Sequence, residues 1–160
     1  MPAKNKIFLN FHNLGVELKP LKDNGKVIVF TNGCFDILHP GHIDLLEKAK
    51  ALGDILVLGL NTDASIQGLK GSSRPIQNLN ARAMVLAGLE SIDFIIPFDT
   101  PTPLDLIKRV KPHILVKGGD YRIENIVGYD FVKSIGGEVT TIPFLEGHSS
   151  SQIINKIKES

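Results

Sequence analysis

From Lys26 onward the chain alternates short unbroken apolar runs with longer segments whose apolar positions recur three or four residues apart. The runs Val27–Phe30, Ile55–Leu60, Phe94–Ile96 and Ile114–Val116 are continuous rather than alternating, the pattern of strands covered on both faces. A fifth run, Glu138–Ile142, is more polar and suits an edge. Between them Ile43–Leu52, Ala81–Leu89, Leu104–Val110, Tyr129–Ile135 and Ser151–Lys158 carry helical spacing. This alternation predicts an α/β fold, a doubly wound and mostly parallel five-stranded sheet with helices on both faces. Ligands of such sheets bind beyond the carboxyl ends of the strands. Chemistry is therefore expected in the loops after the first, second and fourth strands.

Residues 1–25 read as a lead-in to a single domain over residues 26–160, with a short possible helix at Ile7–Leu14 and a turn-rich stretch at Lys19–Gly25. The stretch Ile66–Asn80 holds Gly68, Gly71, Ser72, Ser73 and Pro75 beside Lys70 and Arg74. Its composition predicts a mobile loop next to a phosphate site.

A chain of 160 residues with 42% hydrophobic content can build one sizeable core. Eighteen basic residues are nearly balanced by seventeen acidic ones. The balance gives no electrostatic case for a nucleic acid or a membrane surface as partner, so any anion site has to be local. Cys34 is the only cysteine, which excludes an intrachain disulfide and fits a reducing compartment. Met1–Phe11 has no apolar run of signal-peptide length and no stretch reaches membrane-spanning length. A soluble, cytoplasmic protein is the expectation.

The segment Thr31–His42 lies directly after the first strand and before a helix. Pro40 suits the first helical position and Gly41 removes a side chain that would hold a ligand away from the backbone. His39 and His42 are three residues apart, so both imidazoles can face one side. Two imidazoles and the free N–H groups of a helix start make a site for phosphate oxygens. A bare His-x-x-His pair reads more simply as surface or metal-binding histidines. Metal pairs on helices favour a spacing of four with further ligands nearby, and His12, His113 and His148 have no metal-motif spacing, so no metal ligand is assigned. Cys34 has no identified base or orienting acid beside it and is not read as a nucleophile.

Two further segments suit a nucleotide. Ser149, Ser150 and Ser151 stand where the last helix begins, so one can cap it while the others receive phosphate oxygens. In Lys117–Asp120, after the fourth strand, Gly118 and Gly119 let backbone groups approach a flat base.

The segment Gly33–Asp36 with His39–His42 resembles the signature of the nucleotidyltransferase superfamily. Leu69–Pro75, Val116–Tyr121, Gly137–Val139 and Ser149–Ile153 are similar to the branch of D-glycero-β-D-manno-heptose 1-phosphate adenylyltransferases, and the resemblance covers nearly all of Lys26–Ser160. It implies a Rossmann-like nucleotidyltransferase fold and an enzyme that joins AMP from Mg-ATP to a heptose 1-phosphate, giving ADP-heptose and pyrophosphate for lipopolysaccharide synthesis. It implies that His39 and His42 contact the triphosphate and the transition state and that Lys70 reaches the phosphates. Gly33, Cys34, Phe35, Gly41, Lys117, Gly118, Gly119, Ser149, Ser150 and Ser151 would hold ATP. Asp36, Arg82 and Asp120 would stand at the substrate side, with Arg82 anchoring the Lys70 region. A homodimer and the cofactor Mg2+ are also implied, with small molecules as the only other partners. The chain departs from the cytidylyltransferases of the superfamily, which carry an arginine before the serine run, and has His148 where the heptose branch has a small residue. Two alternatives stand beside this reading: a cytidylyltransferase acting on glycerol 3-phosphate or a phospho-alcohol, and a nucleotide-binding module without catalysis.

Overall fold

A computed structural model describes residues 1–160. The apolar runs form one sheet of five strands in the order β3-β2-β1-β4-β5, and every pair is parallel. The strands are β1 (Ile28–Gly33), β2 (Ile55–Asn61), β3 (Phe94–Phe98), β4 (Ile114–Gly118) and β5 (Glu138–Ile142). The helices are α1 (Phe11–Asp23), α2 (Pro40–Lys50), α3 (Asp63–Lys70), α4 (Leu79–Ala87), α5 (Leu104–Val110), α6 (Tyr129–Ser134) and α7 (Ser150–Lys158). Two 3-10 turns, Ala3–Lys6 and Ile123–Asn125, complete the chain.

Each central strand feeds two cores. Ile28 and Phe30 join Leu14, Leu18, Ile107 and Val132 on one face, while Val29 joins Leu46, Ala49, Leu86 and Ile95 on the other. Successive strand side chains point to opposite faces, so a strand buried on both sides shows no polar alternation. The chain winds outward from β1 to β3 and then returns to lay β4 against the other side of β1. The strand order reverses there, which opens the crevice at the carboxyl ends of β1 and β4. β1 runs three residues past the predicted Phe30, because Thr31, Asn32 and Gly33 continue the ladder with Leu58, Gly59 and Leu60.

The first 25 residues pack closely on this sheet. α1 begins after Asn10, whose side chain accepts the N–H of Asn13, and extends through the stretch expected to turn, with Pro20 inside it. Leu14 and Leu18 are buried one helical turn apart. Their burial holds the backbone helical where local composition favours a turn. Ahead of α1, the Phe8 N–H bonds Ile95 O at 2.9 Å and the Phe8 ring meets Phe94 edge-on.

The stretch Ile66–Asn80 is not one mobile loop. Its first part belongs to α3, capped by Thr62, whose side chain accepts the Ser65 N–H, and anchored by fully buried Ile66. Its second part is held by Asp36, which accepts the N–H groups of Ile76 and Gln77.

Leu14→Ala should lower the unfolding free energy by about 2–5 kcal/mol, as other buried leucine truncations do. Leu9→Ala, at a residue 79% exposed, should change it by less than about 0.5 kcal/mol. Urea unfolding of both variants measures the difference, and equal effects would show that α1 adds nothing to the core.

Candidate active site

The turn out of β1 is built around Phe35. Its backbone is left-handed, with φ +47°, and its ring is buried. A Cβ on Gly33 would lie 2.7 Å from that ring, so glycine is what fits beside it. His39 then caps α2: its Nδ1 accepts the Gly41 N–H at 3.1 Å, and Pro40 takes the first helical position. A Cβ on Gly41 would stand 2.9 Å from His39 Cε1, so glycine also allows the ring to fold back. With Nδ1 accepting, the neutral His39 ring carries its proton on Nε2.

His39 stacks on His42 with ring centres 3.7 Å apart, and His42 leans on Phe35 at 5.0 Å. Burial, followed by the charges of His39 and Lys70, pushes the His42 imidazole down to about 4. His39 is lowered too, first by burial and then by His148. Near neutral pH both rings are uncharged N–H donors. His42 Nδ1 is buried and has no hydrogen-bond partner, a feature that ordinary packing avoids. Burial pushes the Cys34 thiol up, against the opposing pull of Lys70 and Arg82. A protonated thiol is a poor nucleophile.

The histidines open onto a cleft of about 310 Å³, lined on the far side by Ser149, Ser150 and Ser151 at the start of α7 and flanked by Lys70, Phe144 and His148. Two helix starts, those of α2 and α7, therefore face one space and both present partial positive charge. Lys70, at the carboxyl end of α3, adds a full charge. Positive potential is thus concentrated in one place on a chain of net charge +1. A cavity of about 430 Å³ between α1, β3 and α5 is larger, but it is lined by His12 rather than by His39 or His42, and by no serine.

The three serines differ in their bonds. Ser149 caps α7 by accepting the Gln152 N–H at 3.1 Å. Ser150 Oγ donates to Ile37 O at 2.8 Å, and Ser151 Oγ accepts from Arg74 Nη2 at 3.2 Å.

Asp36 and Arg82 are turned into the protein. Asp36 is 3% exposed, and its carboxylate is occupied by the backbone of Ile76 and Gln77. Arg82 is 1% exposed and donates to the carbonyls of Gln77, Cys34 and Asn61 and to the Asp63 carboxylate. The end of β4 lies beside the cleft. Gly118 is packed under Leu45, and Gly119, at φ +116°, leaves no room for a Cβ between Tyr121 and Phe144. Lys117 Nζ sits 5.4 Å from the Tyr121 ring centre, and both line a separate cavity of about 180 Å³ with Asn32 and Asn125. Asp120 is exposed in the turn after β4.

Sequence reasoning missed the cleft wall made by Leu45, Phe144 and Leu145. The helical spacing of Leu45 marked it only as core. The two residues after the edge strand were legible as apolar positions without an assigned partner.

Residues 30–156 match the family model described as cytidylyltransferase-like. The chain belongs to the cytidylyltransferase-like family. The match runs from β1 into α7 and so contains every element of the cleft. By family it is a nucleotidyltransferase domain. Among the curated relatives, the Bifunctional protein HldE of Pelobacter propionicus is 51% identical over 146 residues, which are 91% of this chain and 30% of that protein. The protein of the same name from Citrifermentans bemidjiense is 55% identical over 136 residues, 85% of this chain and 28% of the relative. The chain thus spans about 30% of the length of the relatives it matches. A solved lipopolysaccharide core biosynthesis protein from Thermoplasma volcanium superposes with a TM-score of 0.63 at 27% identity, covering 78% of this chain and all (100%) of that one. Pantoate-beta-alanine ligase from Francisella tularensis also reaches 0.63, at 19% identity over 96% of this chain and 78% of its own. That likeness is one of fold alone.

Two outcomes follow from the buried groups of this family member. Arg82→Ala leaves three carbonyls without their donor, while the partly exposed Asp63 carboxylate can turn to water, and the loss of stability should be at least about 2 kcal/mol, since each buried acceptor left unmet costs about 1–3 kcal/mol; a urea midpoint equal to wild type would contradict it. For His42 the folded value of about 4 lies below the ordinary 6.5, so the unfolded chain takes up this proton first as the pH falls. The contribution is complete above pH 6.5 and is lost toward pH 4. His42→Gln should therefore flatten the stability profile between pH 6.5 and 4, whereas an unchanged slope would mean the imidazole is not held neutral.

Proposed function

We propose that this domain transfers AMP from ATP to D-glycero-β-D-manno-heptose 1-phosphate, releasing pyrophosphate and ADP-heptose. The observation that carries the reaction type is the pair of stacked imidazoles at the start of α2, set across one cleft from the start of α7 with Lys70 beside them. The choice of nucleotide and sugar rests on the resemblance to the heptose branch, on the relatives named HldE and on the lack of an arginine before the serine run.

In this reading an oxygen of the sugar phosphate attacks the α-phosphorus in line, the bond to the β-phosphate breaks, and pyrophosphate leaves. His39, His42 and Lys70 act on the charge that grows on the phosphate oxygens, while the start of α7 receives the leaving group. Neutral imidazoles serve this purpose as N–H donors, and no protein nucleophile is required. Lys117, Gly118 and Gly119 flank the base. Asp36 and Arg82 are assigned a positioning role, which differs from the substrate contact expected from resemblance, because their polar atoms are committed to the protein. Asp120 remains at the open rim. The residues lining the cleft offer imidazole, hydroxyl and ammonium groups but no carboxylate. Magnesium accordingly belongs with the phosphate oxygens and water, as suits a small ion that sheds water reluctantly, and it supplies charge neutralisation when bound.

We also read the enzyme as cytoplasmic and homodimeric, the former from its single cysteine and the latter from family resemblance. No helix is long and apolar enough to cross a membrane.

The decisive experiment measures pyrophosphate release with ATP, CTP, GTP and UTP against sugar 1-phosphates and phospho-alcohols. The highest kcat/KM is expected for ATP with the heptose 1-phosphate; preference for CTP with glycerol 3-phosphate would reject the assignment. His39→Ala and His42→Ala should each lower kcat by about 10²–10³-fold with the circular dichroism spectrum unchanged, the range found when a donor to transition-state charge is removed. Near-normal turnover in either would remove that histidine from the centre.

A further inference from the structure

Arg74 lies in the segment that distinguishes the heptose branch, yet the reaction as described gives it no task. Its side chain is only 16% exposed, and it does not line the cleft. One guanidinium nitrogen, Nη2, donates to Ser151 Oγ at 3.2 Å, and the other, Nη1, stands 3.7 Å from Asp36 Oδ2. Asp36 already accepts two N–H groups, that of Ile76 shared between both its oxygens and that of Gln77, so it does not depend on Arg74 for its hydrogen bonds. The shorter contact is the one to Ser151.

Chemistry fixes the direction of each serine bond. A hydroxyl has one proton and two lone pairs, a guanidinium or backbone N–H can only donate, and a carbonyl can only accept. Ser150 therefore spends its proton on Ile37 O. Ser149 and Ser151 use a lone pair, toward Gln152 N and Arg74 respectively, and keep their protons. The run of three serines thus contains one tie and two available donors.

We propose that Arg74 is a positioning residue for the phosphate site. By occupying a lone pair of Ser151 it turns that hydroxyl's proton toward the cleft, and by facing Asp36 it fixes the start of α7 against the loop that carries His39. A hydrogen bond from a charged donor also polarises the hydroxyl and strengthens its onward donation. The inference rests on the reading that the start of α7 receives phosphate oxygens, but not on the identity of the nucleotide or sugar.

The test is a double-mutant cycle on binding of inorganic tripolyphosphate, which carries the phosphate chain without base or acceptor, followed by calorimetry. Arg74→Ala and Ser151→Ala should each weaken binding about threefold to tenfold, the range for one hydrogen bond. The double variant should bind within about twofold of the weaker single, because residues acting through one interaction are not additive. Ser151 is exposed on the first turn of α7, so its variant keeps the fold. If Arg74→Ala lowers the melting temperature, Arg74→Lys, which retains the charge beside Asp36, carries the same cycle. Multiplicative losses, full affinity in the Arg74 variants, or no binding to the wild type would overturn the proposal. Coupled losses in a protein that releases no pyrophosphate from ATP and heptose 1-phosphate would uphold this role and reject the substrate assignment instead.

Discussion

The site depends on one buried cation. Removing a guanidinium from water costs several kcal/mol unless its donors are met, and Arg82 meets that requirement with the ends of four segments. Four of its five N–H groups go to Gln77 O, Cys34 O, Asn61 O and Asp63. Those acceptors lie in the loop after β1, at the end of β2, at the start of α3 and ahead of α4. The carboxyl edge of the sheet is thereby drawn around a single charge. Asp36 repeats the arrangement with opposite sign, gathering the N–H groups of Ile76 and Gln77. Together they hold the loop that ends at His39 against the stretch that follows Lys70.

On that frame the cleft gathers positive potential with little formal charge. His39 and His42 are 3.7 Å apart, a separation at which two imidazolium ions would repel strongly, and burial disfavours the charged forms as well. Neutral N–H donors, two helix starts and Lys70 supply the positive potential. In the proposed reaction such donors would be in place before charge develops on the phosphates, so that little reorganisation would be needed. Burial pushes the Cys34 thiol up in the same loop, which disfavours the thiolate a nucleophile would need.

The fold alone does not select this chemistry. A ligase that is 19% identical shares the sheet to a TM-score of 0.63, and one scaffold commonly carries several reactions. What this chain adds is local. Leu45, Phe144 and Tyr121 close around Gly118 and Gly119, and a Cβ on Gly119 would come within 2.8 Å of the Tyr121 ring.

Much of this was legible in the residues themselves. Continuous apolar runs identified strands buried on both faces, and helical spacing gave α5 as Leu104–Val110 without error. Pro40 and Gly41 between the histidines located the start of α2, because a missing N–H and a missing Cβ have narrow uses. These are properties of a residue and its near neighbours. The extent of α1 was not legible, since Leu14 and Leu18 hold the helix only through contacts with the sheet. Nor was the partition of the serines, whose partners Arg74 and Ile37 are 77 and 113 residues away. The same holds for Asp36 and Arg82, whose charge suggested a ligand but whose acceptors and donors come from distant segments. Sequence alone determined which groups could serve the chemistry. Tertiary structure decided which of them face the cleft, because a polar atom is free for a ligand only when the folded chain has not already satisfied it.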